Sequence, residues 1–428
     1  MLQIIVLCTV PVVGLWVSLE VLERPHLIAP LVVAVSVLVS LGVDLKIAAG
    51  SVTAYPADLL LVLIAVSMGI GLGLGRLRPH RPTWPWLALL ALLAVAAGRG
   101  IGEFGLERAS NATRALGLFL VTTTFVALQR HHLRRIATWV GGSLVVGASV
   151  VSVSALIFLA RNGLGTYGTD GRRALNGLGA LLVAQAVLVT LPRRDLSTVT
   201  RWSVAATGVV VLVATQQRTV AVAVVAGILV LVATAGRGTR AQALAGLGLG
   251  AVVVVVAVGS LTGLSQSVGE AANEPFRRDS TFDWRVKGWV QLVRTQIDDS
   301  SIDLAIGDPA GEGTARRIRT GGQLGEVRAS AHSQWVTTFL ALGIVGLAIW
   351  SAAIAWIVWR SARLRLPELA SWYAAGATAL VFSVTYQLSA DQGLIIGLLA
   401  AAAALGPRWA GADPAVLSDP AVVLADSP

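Results

Sequence analysis

Ala331-His332-Ser333-Gln334-Trp335-Val336-Thr337-Thr338-Phe339-Leu340-Ala341-Leu342-Gly343-Ile344-Val345-Gly346-Leu347 is where a long polar stretch passes into an apolar span that continues to Trp359. Immediately upstream, Ser265 to Ser330 is polar and charged. Before that, from Leu2 to Leu264, one apolar segment follows another with short turns between them. Stretches of about 18 apolar residues suffice to cross a hydrocarbon core of roughly 30 Å. The 428 residues are 55% hydrophobic and 13% charged, whereas a soluble domain carries about 25% charged residues. The chain reads as an all-α polytopic membrane protein with one large loop, and a lone histidine stands where that loop re-enters the bilayer.

Spans are expected near Leu2–Leu19, Leu27–Val43, Leu59–Leu74, Trp84–Ala97, Ala115–Leu128 and Ile136–Ala160. They continue at Gly177–Leu191, Trp202–Thr215, Val220–Ala235, Ala243–Leu264, Trp335–Trp359, Ala370–Gln387 and Gly393–Leu405. The first two carry the weakest signal, so the count is about 12 or 13 transmembrane helices. The chain divides into a helix bundle (1–264), a loop with an amphipathic surface helix (265–334), C-terminal spans (335–406) and a disordered cytoplasmic tail (407–428). Cys8 is the single cysteine, so an intrachain disulfide is excluded. Met1-Leu2-Gln3 lacks a basic leader, and the first span is read as retained.

The net charge is +10, almost all of it arginine, since Lys46 and Lys287 are the only lysines. In a membrane protein such a balance points to anionic lipid headgroups before nucleic acid. One set of short loops holds Arg76/Arg78/Arg81, Arg130/Arg134/Arg135, Arg193/Arg194/Arg201, Arg237/Arg240 and Arg360/Arg363/Arg365. They alternate with the other loops, as a cytoplasmic set does. The long loop, Arg99–Arg114, Arg161–Asn176 and the turn at Gln216-Gln217-Arg218 are then expected on the outer face. Within the loop, Phe282, Val286, Trp289, Val290, Val293 and Ile297 fall at helical spacing, with Ser280 and Asp283 as a capping box. This predicts a helix lying on the outer membrane surface, followed by a flexible stretch rich in glycine from Gly307 to Gly325.

Three outer-face residues could carry chemistry. Arg218 opens a span, where its ordinary role is snorkelling to headgroups and its functional one is a bidentate clamp on phosphate. Arg285 faces the same choice on the loop helix, with Trp284 and Trp289 beside it as interfacial anchors or sugar-stacking rings. His332 stands at a helix N-terminus, whose positive end favours a neutral imidazole able to take a hydroxyl proton. A base and two guanidinium groups suit transfer from a donor activated by diphosphate, because the leaving group needs charge stabilisation more than a proton. No metal-ligand motif is found: His131-His132 falls on the cytoplasmic side, and neither H-E-x-x-H nor D-x-D occurs. No cofactor is called for.

These residues resemble the O-antigen ligase and O-antigen polymerase superfamily of bacterial envelope glycosyltransferases. The likeness is carried by Ala331-His332-Ser333-Gln334-Trp335, by Gly343-Ile344-Val345-Gly346, by Arg285 with Trp289, by Ile306-Gly307-Asp308-Pro309 and by Thr215–Arg218. Arg172-Arg173-Ala174-Leu175-Asn176 is a weaker echo. Ser333 stands where the family usually has Asn, and Gln217 where it has Ser. The resemblance implies a C-type membrane glycosyltransferase fold in the bacterial plasma membrane. It implies His332 as the base on the acceptor hydroxyl and Arg218 and Arg285 on the diphosphate, with Arg172, Arg173 and Trp289 lining the substrate. The implied reaction is metal-independent, inverting transfer of a glycan from a polyprenyl-diphosphate carrier to a glycan, lipid or protein acceptor.

Two other classes compete. A secondary transporter or flippase would show internal repeats and ionisable groups at mid-membrane; no repeat is found, and only Asp391 comes near mid-membrane. A scaffold would use the loop to hold a partner and would tolerate loss of His332.

Overall fold

The computed structural model describes residues 2–235 and 281–406, apart from short breaks at 44, 50–51, 163–173, 194–195, 215–216, 299, 313–314, 321–322, 329–330 and 365. Among the described residues nine α-helices precede the long break: α1 (Leu2–Glu23), α2 (Ile28–Ser40), α3 (Pro56–Gly73), α4 (Trp84–Phe104), α5 (Leu106–Leu128), α6 (Leu133–Asn162), α7 (Gly177–Thr190), α8 (Thr198–Ala214) and α9 (Arg218–Thr234). After it come α10 (Thr281–Asp298), α11 (Ser301–Ile306), α12 (Gln334–Leu364), α13 (Ala370–Ser383) and α14 (Ala390–Leu405). Two small antiparallel hairpins, β1–β2 (Ile47–Ala49 with Val52–Ala54) and β3–β4 (Ala315–Thr320 with Gln323–Arg328), are the strands among the described residues.

The protein is an all-α polytopic membrane protein. Each expected span coincides with a helix except Ala243–Leu264, which lies outside the described residues, as does the expected tail from 407. Among the described residues, five helices are each long and apolar enough to cross a membrane unaided, or six if α1 and α2 count as one bent span. That pair departs from the two separate spans expected. It turns through 108° at Arg24-Pro25, where the proline lacks an N–H and pushes the residue before it out of the helical region.

Apolar sequence on every side of a helix marks a central position. Thus α5 from Leu116 to Leu128, almost all of α7, and α14 from Ala390 to Ala403 are buried. In α5, Thr123 and Thr124 donate their hydroxyls to the carbonyls of Phe119 and Leu120, which satisfies them inside the apolar centre. By contrast, α6 exposes Trp139, Val146, Val150, Val153 and Ile157 at helical spacing, an apolar stripe facing outward.

Contacts between distant segments sort the helix ends into two sets. At one end Arg76 meets Glu23, the ring of His26 meets Trp139, and Arg360 bonds the carbonyl of Ala403. At the other, Arg114 meets Asp58, Arg99 meets Gly307 and Asp303, Asn176 meets Val39, and Arg285 meets Thr385 and Tyr386. Each contact joins ends that the alternation of arginine-rich loops places together. The bundle therefore has an arginine-rich end and a loop end.

The loop is knitted into the bundle. Its helix α10 does not bury the expected stripe: Val290 and Ile297 are exposed, whereas Gly288, Leu292 and Gln296 are buried. The inward face is rotated because it packs against the start of α12, with Leu292 in a cluster with Ala331, Phe339 and Leu340. The Nε2 of the buried Gln296 donates to the carbonyl of Asp303 at 2.8 Å. The expected capping Ser280 lies outside the described residues. The glycine-rich stretch differs too. Gly307 and Gly311 sit at φ 91° and 106°, and β3 pairs with β4 in antiparallel register, so this stretch holds regular structure and close backbone contacts.

Candidate active site

His332 is the one residue other than glycine with positive φ (49°) among the described residues. The left-handed region costs an L-residue about 1–2 kcal/mol, and such conformations persist where neighbours over-determine them. Here both neighbours are pinned. The Trp289 indole N–H donates to the carbonyl of Ala331 at 2.6 Å. The amide of Gln334 donates to the carbonyl of Tyr386 at 3.1 Å. Ala331, Ser333 and Gln334 are buried while His332 is half-buried. Ser333 caps α12: its hydroxyl accepts from the Val336 amide at 3.4 Å and its carbonyl from Thr337 at 2.9 Å. The imidazole thus stands one residue ahead of the helix cap. Gln334 completes the frame, its side-chain oxygen accepting from the Leu388 amide at 3.0 Å and its Nε2 facing the Thr338 hydroxyl at 3.3 Å.

Arg285 projects from α10 to the turn between α13 and α14. Its Nη1 donates to the carbonyl of Thr385 at 3.1 Å and its Nη2 to the Tyr386 hydroxyl at 3.3 Å. The guanidinium carbon lies 4.7 Å from the centre of the Tyr386 ring, within cation–π range. Its buried Nε has no hydrogen-bond partner among the described residues. The same tyrosine ring meets His332 edge to face, with centroids 6.5 Å apart, and stacks on Phe382 at 4.5 Å. Tyr386 therefore joins the histidine and the arginine.

Arg218 is the first residue of α9; its side chain lies outside the described residues, as do Arg172 and Arg173. Its height is fixed by packing. Leu231 of α9 and Ala235 just after it cluster with Ala370 and Ala374 of α13, and Gly227 faces Ala374 and Thr378. The two helices are antiparallel, so at about 1.5 Å per residue α9 begins near the height of Tyr386. Gln217 ties that start down through its side-chain amide, bonded to the carbonyl of Leu175 at 2.9 Å.

The loop is fastened below this site. Arg99 of α4 donates to the carbonyl of Gly307 at 2.8 Å and pairs with Asp303. Burial alone would raise the Asp303 carboxyl, but the Ser300 hydroxyl and the Arg99 guanidinium together hold it below its ordinary value. Deeper in the bundle, Asp391 is buried among the Ser36 and Ser389 hydroxyls and the Gln392 amide, and Gln392 reaches Gln185 at 3.3 Å. Among the described residues no three His, Cys, Asp or Glu side chains gather as metal ligands.

Sequence reasoning missed Tyr386, Gln334 and the Arg99–Asp303 pair. The signal for Tyr386 was weak: it is one of four tyrosines, placed at a span end on the loop side. Trp289 is half-buried, and its N–H is committed to the Ala331 carbonyl.

A helical, multi-pass membrane protein with an ionisable cluster where one large loop re-enters the bundle is the class these features define. The family model for O-antigen ligase matches residues 203–351, about a third of the chain. The matched segment contains Arg218, Arg285, Trp289 and His332, while Tyr386 and Asp391 fall beyond it. Among curated proteins no match to the chain was found.

Proposed function

We propose that the protein transfers a glycan from a polyprenyl-diphosphate carrier to an acceptor hydroxyl on the extracytoplasmic face of a bacterial plasma membrane. His332 takes the proton from the acceptor hydroxyl. The freed oxygen attacks the anomeric carbon of the donor sugar, and the bond from that carbon to the diphosphate breaks with inversion. The diphosphate leaves with its charge held by Arg285 and Arg218. Arg285 commits two of its five N–H donors, and the rest, the unpartnered Nε among them, remain for phosphate oxygens. No step requires a metal.

The observation that carries this reading is that His332 and Arg285 both contact the ring of Tyr386 at the loop end. The family match supports glycan transfer of the O-antigen-ligase type, with a lipid-linked oligosaccharide as donor and a glycan as acceptor. Polymerase and ligase differ in the acceptor alone, a second lipid-linked unit or a lipid core or protein.

The test gives purified protein a polyprenyl-diphosphate oligosaccharide in the presence of EDTA and looks for lengthened or transferred product. His332→Ala, Arg218→Ala and Arg285→Ala are each expected to abolish product while leaving expression and membrane insertion intact. Normal turnover by His332→Ala sinks the mechanism. Flipping of a lipid-linked substrate that survives loss of His332 makes the protein a transporter.

A further inference from the structure

Glycan transfer gives the arginine-rich end of the bundle no task. Between α4, α12 and α14 that end holds a cavity of ≈ 620 Å³, within the about 300–1,000 Å³ of ligand-sized pockets. Trp86, Trp356, Trp359 and alanines of α12 and α14 form its walls. Its charged lining residues are Arg81 and Arg360, with no acidic residue among them. Among the described residues neither arginine pairs with a carboxylate.

Arg360 is held in place. Its Nε donates to the carbonyl of Ala403 at 3.2 Å, in the last turn of α14, where a cation is favoured by the helix dipole. Among the described residues its two Nη groups have no carboxylate partner. Arg81 is exposed in the turn that leads into α4. Arg363 stacks on Trp359, its guanidinium carbon 4.3 Å from the ring centre. Guanidinium groups beside an apolar wall repel one another until an anion comes between them. Tryptophan walls, in turn, are of no use to a fully hydrated anion. The two demands are met together by an amphiphile with an anionic head and a hydrocarbon tail.

We propose that this cleft is a binding site for an anionic phospholipid. The phosphodiester lies between Arg81 and Arg360, where guanidinium geometry matches phosphate oxygens. An acyl chain runs along Trp356 and Trp359, rings suited to the level of the headgroups. The site is independent of the glycan-transfer reading.

The experiment is native mass spectrometry of the full chain, released from detergent after titration with phosphatidylglycerol or phosphatidylcholine. One phosphatidylglycerol per chain is expected to be retained, and phosphatidylcholine lost. Arg81→Gln is expected to weaken retention on the order of tenfold, the worth of one charge-assisted hydrogen bond. The Arg81→Gln/Arg360→Gln variant is expected to abolish it. Arg81 is exposed and precedes the span, so its single variant folds and decides the matter if the double variant does not. Equal retention of phosphatidylcholine, or full retention by the Arg81 variant, overturns the site. Displacement of the lipid by millimolar inorganic phosphate overturns the role of the apolar wall and leaves a simple anion site.

Discussion

Gly307 in the loop and Gly343 in the span lie against each other's backbone. A Cβ on Gly307 would come within 2.3 Å of the Ala341 carbonyl, and one on Gly343 within 2.3 Å of the Ala305 carbonyl. Both glycines have positive φ, 91° and 66°. Gly343 interrupts α12, and the Asp308 amide takes up the carbonyl of Leu340 at 2.8 Å. Two of the glycines that carry the family resemblance are thus two halves of one junction. Gly307→Ala or Gly343→Ala should destabilise the protein by about 2–4 kcal/mol, from overpacking plus backbone strain. A drop in the apparent Tm in detergent checks this; an unchanged Tm for both variants refutes the junction.

Trp289→Phe keeps the ring but removes the N–H that holds the Ala331 carbonyl. His332 should then lose its fixed position. The expected outcome is a fall in kcat on the order of tenfold with little change in KM, the pattern of an interaction that serves the transition state. Steady-state kinetics on the lipid-linked donor measures it, and a pure KM effect would assign Trp289 to substrate binding instead.

Arg99 and Asp303 fasten the loop to α4. Asp303 titrates below its ordinary value in the folded protein, so its contribution to stability is present above the unfolded value of about 3.8 and is lost as pH falls through the folded one. Arg99→Gln should release the segment around residues 301–311 and speed its cleavage in limited proteolysis at neutral pH. Cleavage at the wild-type rate would show that the glycine junction alone holds the loop.

His80 behaves in the opposite sense from a histidine with an acidic partner. Burial, and then the nearby Arg130 charge, push its imidazole from 6.5 down to about 4. Both ring nitrogens are buried without hydrogen-bond partners among the described residues. The folded value lies below the unfolded one, so stability is full above pH 6.5 and is lost as pH falls from there toward 4. The apparent Tm should decline through that window, and His80→Phe should flatten the slope; a slope unchanged in the variant assigns the decline to other groups.

Much of the architecture was legible because lipid as solvent leaves little choice: apolar length selects helices and arginine alternation sorts their ends. His332 and Arg285 stood out for a related reason, as ionisable groups against an apolar background. Tyr386 did not, because its importance comes from an arginine 101 residues away in sequence. The inward face of α10 was misjudged by following apolar residues, whereas the packed surface includes Gly288, Arg285 and Gln296, and the Arg285 Nη groups and Gln296 Nε2 meet their carbonyl and hydroxyl partners only in the folded chain. Glycine misled in the loop for another reason. Its freedom to bend and its lack of a side chain look identical in a sequence, and at Gly307 the second property matters.

The left-handed backbone at His332 is held from both sides by segments that are remote in the chain, α10 through Trp289 and the turn after α13 through Tyr386. Aim of the imidazole is consequently a collective property. Inactivating substitutions should therefore be scattered over the gene, many of them at positions that never touch a sugar or a phosphate.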